Sequence, residues 1–226
     1  MINYYDRKSR QQFIAENLND YLSDSILNIG GGGKKDLLEY ISPKEYLELD
    51  ISGEPDLLVD LDKEYPLPIE DNRFDTVICT EVLEHLDQLH RVFLELLRIS
   101  NKYIIISVPN AWRGFNNYIK RVEYNGDSGR AGIDVGKYKK FYGLPLKKPV
   151  DRHRWFFSYT EAEYFFKENT KETNFTVIDI PPIGIDGISL KGKIIRKLFK
   201  ALFGDDALKD WFCDVYWCIL EKSNAK

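Results

Sequence analysis

Ser25-Ile26-Leu27-Asn28-Ile29-Gly30-Gly31-Gly32-Gly33-Lys34-Lys35-Asp36 sets a short apolar run directly against four consecutive glycines. The run suits a buried strand and the glycines a tight turn, with a helix predicted over Asp36-Leu37-Leu38-Glu39-Tyr40-Ile41. Glycine is needed where the chain takes positive φ, and the missing Cβ lets a ligand lie against the backbone. In doubly wound α/β folds, nucleotide-like ligands bind at this place, the carboxyl end of the first strand. A phosphate loop would carry Ser or Thr after its Gly-Lys, whereas Lys34 is followed by Lys35 and Asp36. A dinucleotide loop would place a third glycine where, counting from Gly30 and Gly32, Lys35 stands. A third possibility is a nucleoside-like ligand without phosphate, which asks for close backbone approach and for carboxylates at the strand ends, and the downstream residues decide between them.

Those carboxylates follow in order. Glu45 to Ile51 reads as a second strand with Asp50 at its tip, next to the glycine turn, where a carboxylate can accept both hydroxyls of a ribose. The plainer reading of Asp50 is a turn residue before Ser52-Gly53. Pro55 to Leu61 reads as a third strand ending in Asp60, a potential acceptor for an exocyclic amine, with Ile51 and Leu61 as apolar faces for a ring. Thr76 to Cys79 and Tyr103 to Asn110 are apolar enough for central parallel strands, and a helix is expected from Glu81 through Ile99. Arg10 to Leu22 has helical spacing, and Thr160 to Glu168 is a helix with Thr160 as its expected cap and Glu163 three residues on. Asn174 to Ile180 and Trp211 to Leu220 complete the strands. Strands alternating with helices predict a doubly wound, mostly parallel α/β sheet.

Composition limits the rest. At 226 residues and 43% hydrophobic content the chain supports one core, so a single domain over 1–226 is expected. Within it, 22–110 would be the cofactor-binding half, 111–155 a lid insertion, and 156–226 a closing helix and strands. A net charge of -4 argues against a generic polyanion binder. Cys79, Cys213 and Cys218 form no CxxC pair and no Cys/His cluster, so neither a disulfide framework nor a metal site is assigned. Met1 to Lys8 lacks an apolar leader segment and no run reaches the roughly 18 residues of a membrane span, which predicts a cytoplasmic protein.

Five stretches together resemble the class I S-adenosylmethionine-dependent methyltransferases, particularly those acting on small molecules and glycans. They are Leu27 to Gly33, Tyr46 to Ser52, Val59-Asp60-Leu61, Arg73 to Leu86 and Ser107-Val108-Pro109-Asn110. The likeness thins after Asn110 and resumes at His153-Arg154-Trp155-Phe156-Phe157-Ser158. The resemblance implies a seven-stranded Rossmann-like sheet and S-adenosylmethionine as cofactor. It places Gly30, Gly31 and Gly32 under the methionine, Asp50 on the ribose, Asp60 and Leu61 with Ile51 at the adenine, and Thr80 and Glu81 on the sulfonium side. Asn28 stands where the family usually has an acidic residue, and Lys34 where it often has glycine. The contact from Asn28 to the cofactor's amino group is accordingly expected to be weak or water-mediated.

From Asn110 to Trp155 eleven Lys/Arg face four Asp/Glu, with Trp112, Phe115, Tyr118 and Tyr142 among the interleaved aromatics. That composition suits an anionic acceptor with flat or ring-shaped parts, although charge runs are most often solvated surface. Lys191 to Phe203 is a basic helix with an apolar stripe, expected to pack on the domain edge, with contact to a membrane surface as the alternative. Methyl transfer to a weakly acidic hydroxyl needs a base, and His85 and His153 are the candidates, His90 being placed on the surface. The function expected is therefore O-methylation, or N-methylation, of a polar or anionic small molecule or glycan precursor. The alternatives are an RNA-modifying methyltransferase and a non-catalytic cofactor-binding member of the fold; the oligomeric state stays open.

Overall fold

The computed structural model describes residues 7–121, 152–182 and 189–223. Its core is a seven-stranded sheet: β1 Ser25–Ile29, β2 Glu45–Asp50, β3 Leu57–Leu58, β4 Phe74–Thr80, β5 Ser100–Pro109, β6 Phe175–Asp179 and β7 Val215–Lys222. The order across the sheet is β3-β2-β1-β4-β5-β7-β6. β1 to β5 run parallel, and β7 is antiparallel to both β5 and β6. The strand order reverses between β1 and β4, and the crevice at their carboxyl ends is the ligand site of such sheets.

Strand alternation divides the core into two layers. Leu27, Ile29, Leu49, Val77, Ile104 and Ile106 face a cluster completed by α2 (Leu89–Ile99), which buries Val92, Phe93 and Leu96. Ile26, Ile78, Ile105 and Ile219 face the opposite layer, where α1 (Arg7–Asn17) buries Phe13 and Ile14, with Phe13 5.0 Å from the Trp217 ring. α3 covers Ala111–Arg121, α4 Tyr159–Thr170 and α5 Leu190–Phe212.

Several expectations are corrected. The expected helix after the glycine turn is a short 3-10 turn, Asp36–Glu39, and the residues after β4 form another, Leu83–His85, before α2 begins at Leu89. The third strand is only Leu57–Leu58, so Asp60 lies beyond it, in a turn whose carbonyl accepts from Lys63 N and Glu64 N. α4 is capped by Ser158: its hydroxyl accepts from Glu161 N at 3.2 Å, and Glu161 Oε2 accepts from Ser158 N at 2.7 Å. The expected cap Thr160 instead holds Asp210, its N–H donating at 2.9 Å, which ties the second half of α5 to the domain. The first half of α5 does not pack as expected: Leu190, Leu198 and Leu202 are 76%, 60% and 75% exposed. No helix among the described residues is long and apolar enough to cross a membrane.

One buried carboxylate braces the loop before β4. Glu95 accepts from Leu67 N at 2.7 Å and from Arg98 Nη2 at 2.7 Å. Burial alone would raise its carboxyl, but Arg98 and the Leu67 amide hold it below its ordinary value. With the folded value depressed, the stabilisation is present above the unfolded value and disappears as pH falls through the folded one. Glu95→Ala is expected to cost about 1–3 kcal/mol in urea unfolding at neutral pH, since a buried donor loses its acceptor. The gap between variant and parent should narrow as the solution is acidified.

Candidate functional site

The glycine turn is held in its shape from several sides. Gly30, Gly32 and Gly33 have φ of 77°, 83° and 71°, the left-handed region that favours glycine. A Cβ on Gly30 would lie 2.3 Å from Val82 Cγ2, and one on Gly33 2.6 Å from the backbone nitrogen of Glu54. The turn is therefore wedged between the β4 exit and the loop after β2. Asp50 tethers it, Oδ2 accepting from Gly32 N at 2.8 Å and Oδ1 from Ser52 N at 3.1 Å. Arg7, from the start of α1, lies across the turn, for a Cβ on Gly32 would be 1.6 Å from its Nη1.

Beneath the turn sits a buried polar group absent from the sequence-based site. Glu48, fully buried in β2, is the register partner of Asn28 in β1. Tyr46 donates its hydroxyl to Glu48 Oε1 at 2.9 Å and itself accepts from Asn28 Nδ2 at 2.9 Å. A Cβ on Gly31 would stand 2.4 Å from Glu48 Oε1. Glu48 Oε2 and Asn28 Oδ1 are buried and take no hydrogen bond from the described residues. A buried carboxylate in that position is costly unless a donor or cation completes it. An acidic group therefore lies beside Asn28, contributed by the adjacent strand.

At the strand tips Ile51 is 65% exposed beside Asp50, free to cover a flat ring. Leu61 is instead a core residue packed with the larger cluster, so it offers no exposed apolar face. Asp60 is ion-paired with Lys63 at 2.7 Å, and Lys63 with the Asp62 amide holds its carboxyl below the ordinary range despite burial. The acceptor expected there is present, but it shares its charge with a lysine.

On the other side of the turn, β4 ends in buried Thr80, and Glu81 takes φ of 55°, an uncommon conformation for a residue with a side chain. Glu81 N donates to Ser107 O at 2.9 Å and its Oε1 accepts from Ser107 Oγ at 3.3 Å, which fixes the bend. The bend turns Glu84 inward, 1% exposed, with His85 Nε2 3.5 Å from Glu84 Oε1. His153 arrives from 68 residues downstream because Arg154 N and Trp155 N both donate to Glu84 O, at 2.8 and 3.3 Å, and Trp155 Nε1 donates to Leu86 O at 2.6 Å. The His85 and His153 rings meet edge to face with centroids 4.7 Å apart. The two candidate histidines are brought together, and His90 packs outside them against Trp155 and Phe165.

The expected lid falls mostly on residues 122–151, which lie outside the described residues. Of its described cations, Arg113 Nε pairs with Asp214 at 3.1 Å and Arg154 Nε lies 3.5 Å from Asp87. A separate cleft at the amino ends of the central strands, lined by Ser23, Ile41, Pro43, Asp75 and Lys102, carries no comparable cluster among the described residues. Its Asp75 and Lys102 neutralise each other at 3.0 Å.

Residues 30–103 match the family described as Methyltransferase domain. No curated protein matches the chain. Among solved structures, a SAM-dependent methyltransferase from Archaeoglobus fulgidus is 18% identical, with 96% of this chain and 95% of that one covered and a TM-score of 0.51. The methyltransferase domain of bacterial CtHen1-C is 14% identical over 96% and 98%, with a TM-score of 0.53. The plantazolicin methyltransferase BpumL, in complex with a pentazolic desmethylPZN analogue and SAH, is 16% identical over 96% and 84%, with a TM-score of 0.54. With residues 30–103 matching a methyltransferase domain and the strand order of the whole sheet in agreement, the chain has the fold of the class I S-adenosylmethionine-dependent methyltransferases.

Proposed function

We propose that the chain methylates an oxygen of a polar, anionic small molecule or glycan precursor. The observation that supports this reading is the meeting of the His85 and His153 rings, centroids 4.7 Å apart, in the turn that follows β4. When bound, S-adenosylmethionine supplies an electrophilic methyl group on a sulfonium. The chain's own residues suit the rest of that molecule. Glu48, with a buried oxygen still able to accept, would take its ammonium, and the Arg7 guanidinium across Gly32 its carboxylate. Asp50 would hold the ribose hydroxyls, Ile51 would cover the adenine, and Asp60 would accept from its amine. Thr80 and Glu81 would line the sulfonium side. His85 and His153 ready the acceptor oxygen, whose proton must leave for it to become a nucleophile.

The commitment of Arg113 and Arg154 to carboxylates favours a small acceptor over a long polyanion. Titration calorimetry tests the cofactor assignment: S-adenosylmethionine and S-adenosylhomocysteine should bind and NAD should not. Glu48→Gln should weaken both sulfur nucleotides about tenfold or more, through loss of a charged hydrogen bond. Heat from NAD alone would overturn the assignment. Incubation with labelled cofactor and separated RNA, lipid and small-molecule pools would identify the acceptor class, with label expected in the small-molecule or lipid-linked glycan fraction.

A further inference from the structure

Glu84 has no part in the chemistry described so far, yet it is the most deeply buried of the three groups at the acceptor side. Glu84, His85 and His153 each present one ligand atom, and the three atoms lie within 4.8 Å of one another. Neighbouring side chains such as Glu84 and His85 ordinarily diverge; here the 3-10 turn Leu83–His85 lets both reach the same point. The third ligand is delivered by main-chain bonds to the Glu84 carbonyl, so its position does not depend on a mobile side chain. Around a metal with bonds of about 2.0–2.2 Å, adjacent ligands stand roughly 3–3.5 Å apart, so the cluster needs to contract by about an ångström. Two imidazoles and one carboxylate, without sulfur, favour a borderline divalent ion and leave coordination positions open on one side.

We propose that Glu84, His85 and His153 hold a divalent metal ion of the manganese, iron or cobalt class, whose open positions take the acceptor hydroxyl. The inference rests on the reading of His85 and His153 as the groups that ready the acceptor, and assigns them the part of ligands, not of free bases. A divalent cation would lower the pKa of a hydroxyl bound to it, so that its proton leaves more readily. In the transfer the O–H bond breaks with its proton passing to water, and an O–C bond forms at the methyl carbon. The C–S pair stays on sulfur, leaving S-adenosylhomocysteine. The metal changes no oxidation state, and no further reactant is needed.

The test is equilibrium binding of manganese to chelator-treated full-length protein, followed by the loss of the free-ion resonance signal. One equivalent per chain is expected, weakened on the order of tenfold or more in Glu84→Gln and in His153→Ala. S-adenosylhomocysteine binding, measured on the same samples, should be unchanged in both variants, which establishes that they are folded. Absence of saturable manganese binding by the parent, or binding that persists in the double variant, overturns the metal. Loss of S-adenosylhomocysteine binding by the parent would instead overturn the cofactor reading.

A separate observation concerns the first half of α5. Leu190, Ile194, Leu198 and Leu202 recur every fourth residue and are all exposed, with Phe203 beside them at 63%. Lys193 and Lys197 flank that stripe, while Lys200 pairs with Asp205 at 2.5 Å and Arg196 lies over the Phe212 ring. Gly204, at φ of 87°, breaks the helix just after this stretch, and the remainder is tied down through Asp210. An apolar face flanked by cations matches an anionic lipid surface in both respects. We infer that residues 190–203 seat the enzyme on an anionic membrane. Cosedimentation with vesicles rich in phosphatidylglycerol should be strong, should fall with salt, and should be lost in the Leu198→Asp, Leu202→Asp double variant. Equal binding to phosphatidylcholine alone, no binding to either, or a dimer in solution that buries this face would overturn it.

Discussion

Asp50→Ala is expected to bind S-adenosylmethionine about 10- to 100-fold more weakly than the parent, measured by calorimetry on protein of unchanged circular dichroism. A lost hydrogen bond to a charged acceptor is worth about 1.5–3 kcal/mol. Asp50 has two duties, because the carboxylate at the tip of β2 also accepts from Gly32 N at 2.8 Å and so sets the loop that the ligand lies on. Asp50→Asn separates them. The amide can keep the bond to Gly32 N while losing the charge, and should recover part of the affinity. If Asp50→Ala binds as the parent does, the ribose is held elsewhere. Asp60→Ala should cost less, since Asp60 already shares its charge with Lys63.

His153→Ala should lower kcat by about 10²–10⁴-fold while leaving S-adenosylhomocysteine affinity within a few fold. The split is expected from the proposed role of His153 towards the acceptor, its ring meeting those of His85 and Phe156. Single-turnover kinetics, once an acceptor is in hand, separate the chemical step from binding. A variant with undiminished turnover would remove His153 from the chemistry, whether as ligand or as base. His85→Ala should match it in size, and the double variant should add little, because the two imidazoles act as one unit.

The parts of this site that were legible in sequence are those whose signal is local. Apolar runs followed by glycines, and carboxylates at the ends of such runs, mark β1, the turn and Asp50, since period and turn chemistry are written in adjacent residues. Glu48 was not legible. A charged residue inside Glu45-Tyr46-Leu47-Glu48-Leu49 reads as a solvent-facing strand position, and only the pairing with Asn28 shows it buried. Arg7 was missed because nothing near it in sequence refers to the glycine turn. Asp60 and Leu61 were read as one strand tip, but the chain leaves the sheet at Leu58 and turns. The Glu84, His85 and His153 cluster carries no spacing signature, because two ligands are adjacent and the third is far along the chain. The α4 cap was off by two residues because Thr160 and Ser158 both satisfy the pattern, and Asp210 decided between them.

The neck of the insertion has one more consequence. Ala111 N donates to Phe157 O at 2.9 Å, and Trp155 is riveted to Leu86, so the two ends of the 111–155 stretch are fastened to each other and to the sheet. Closing a loop costs little more when the loop is longer. The intervening residues can thus be lengthened, shortened or exchanged as a cassette without moving His85, His153 or the glycine turn. In a lineage built this way, the sequence between the two fastenings drifts freely while the frame that carries the glycine turn and the two histidines stays fixed.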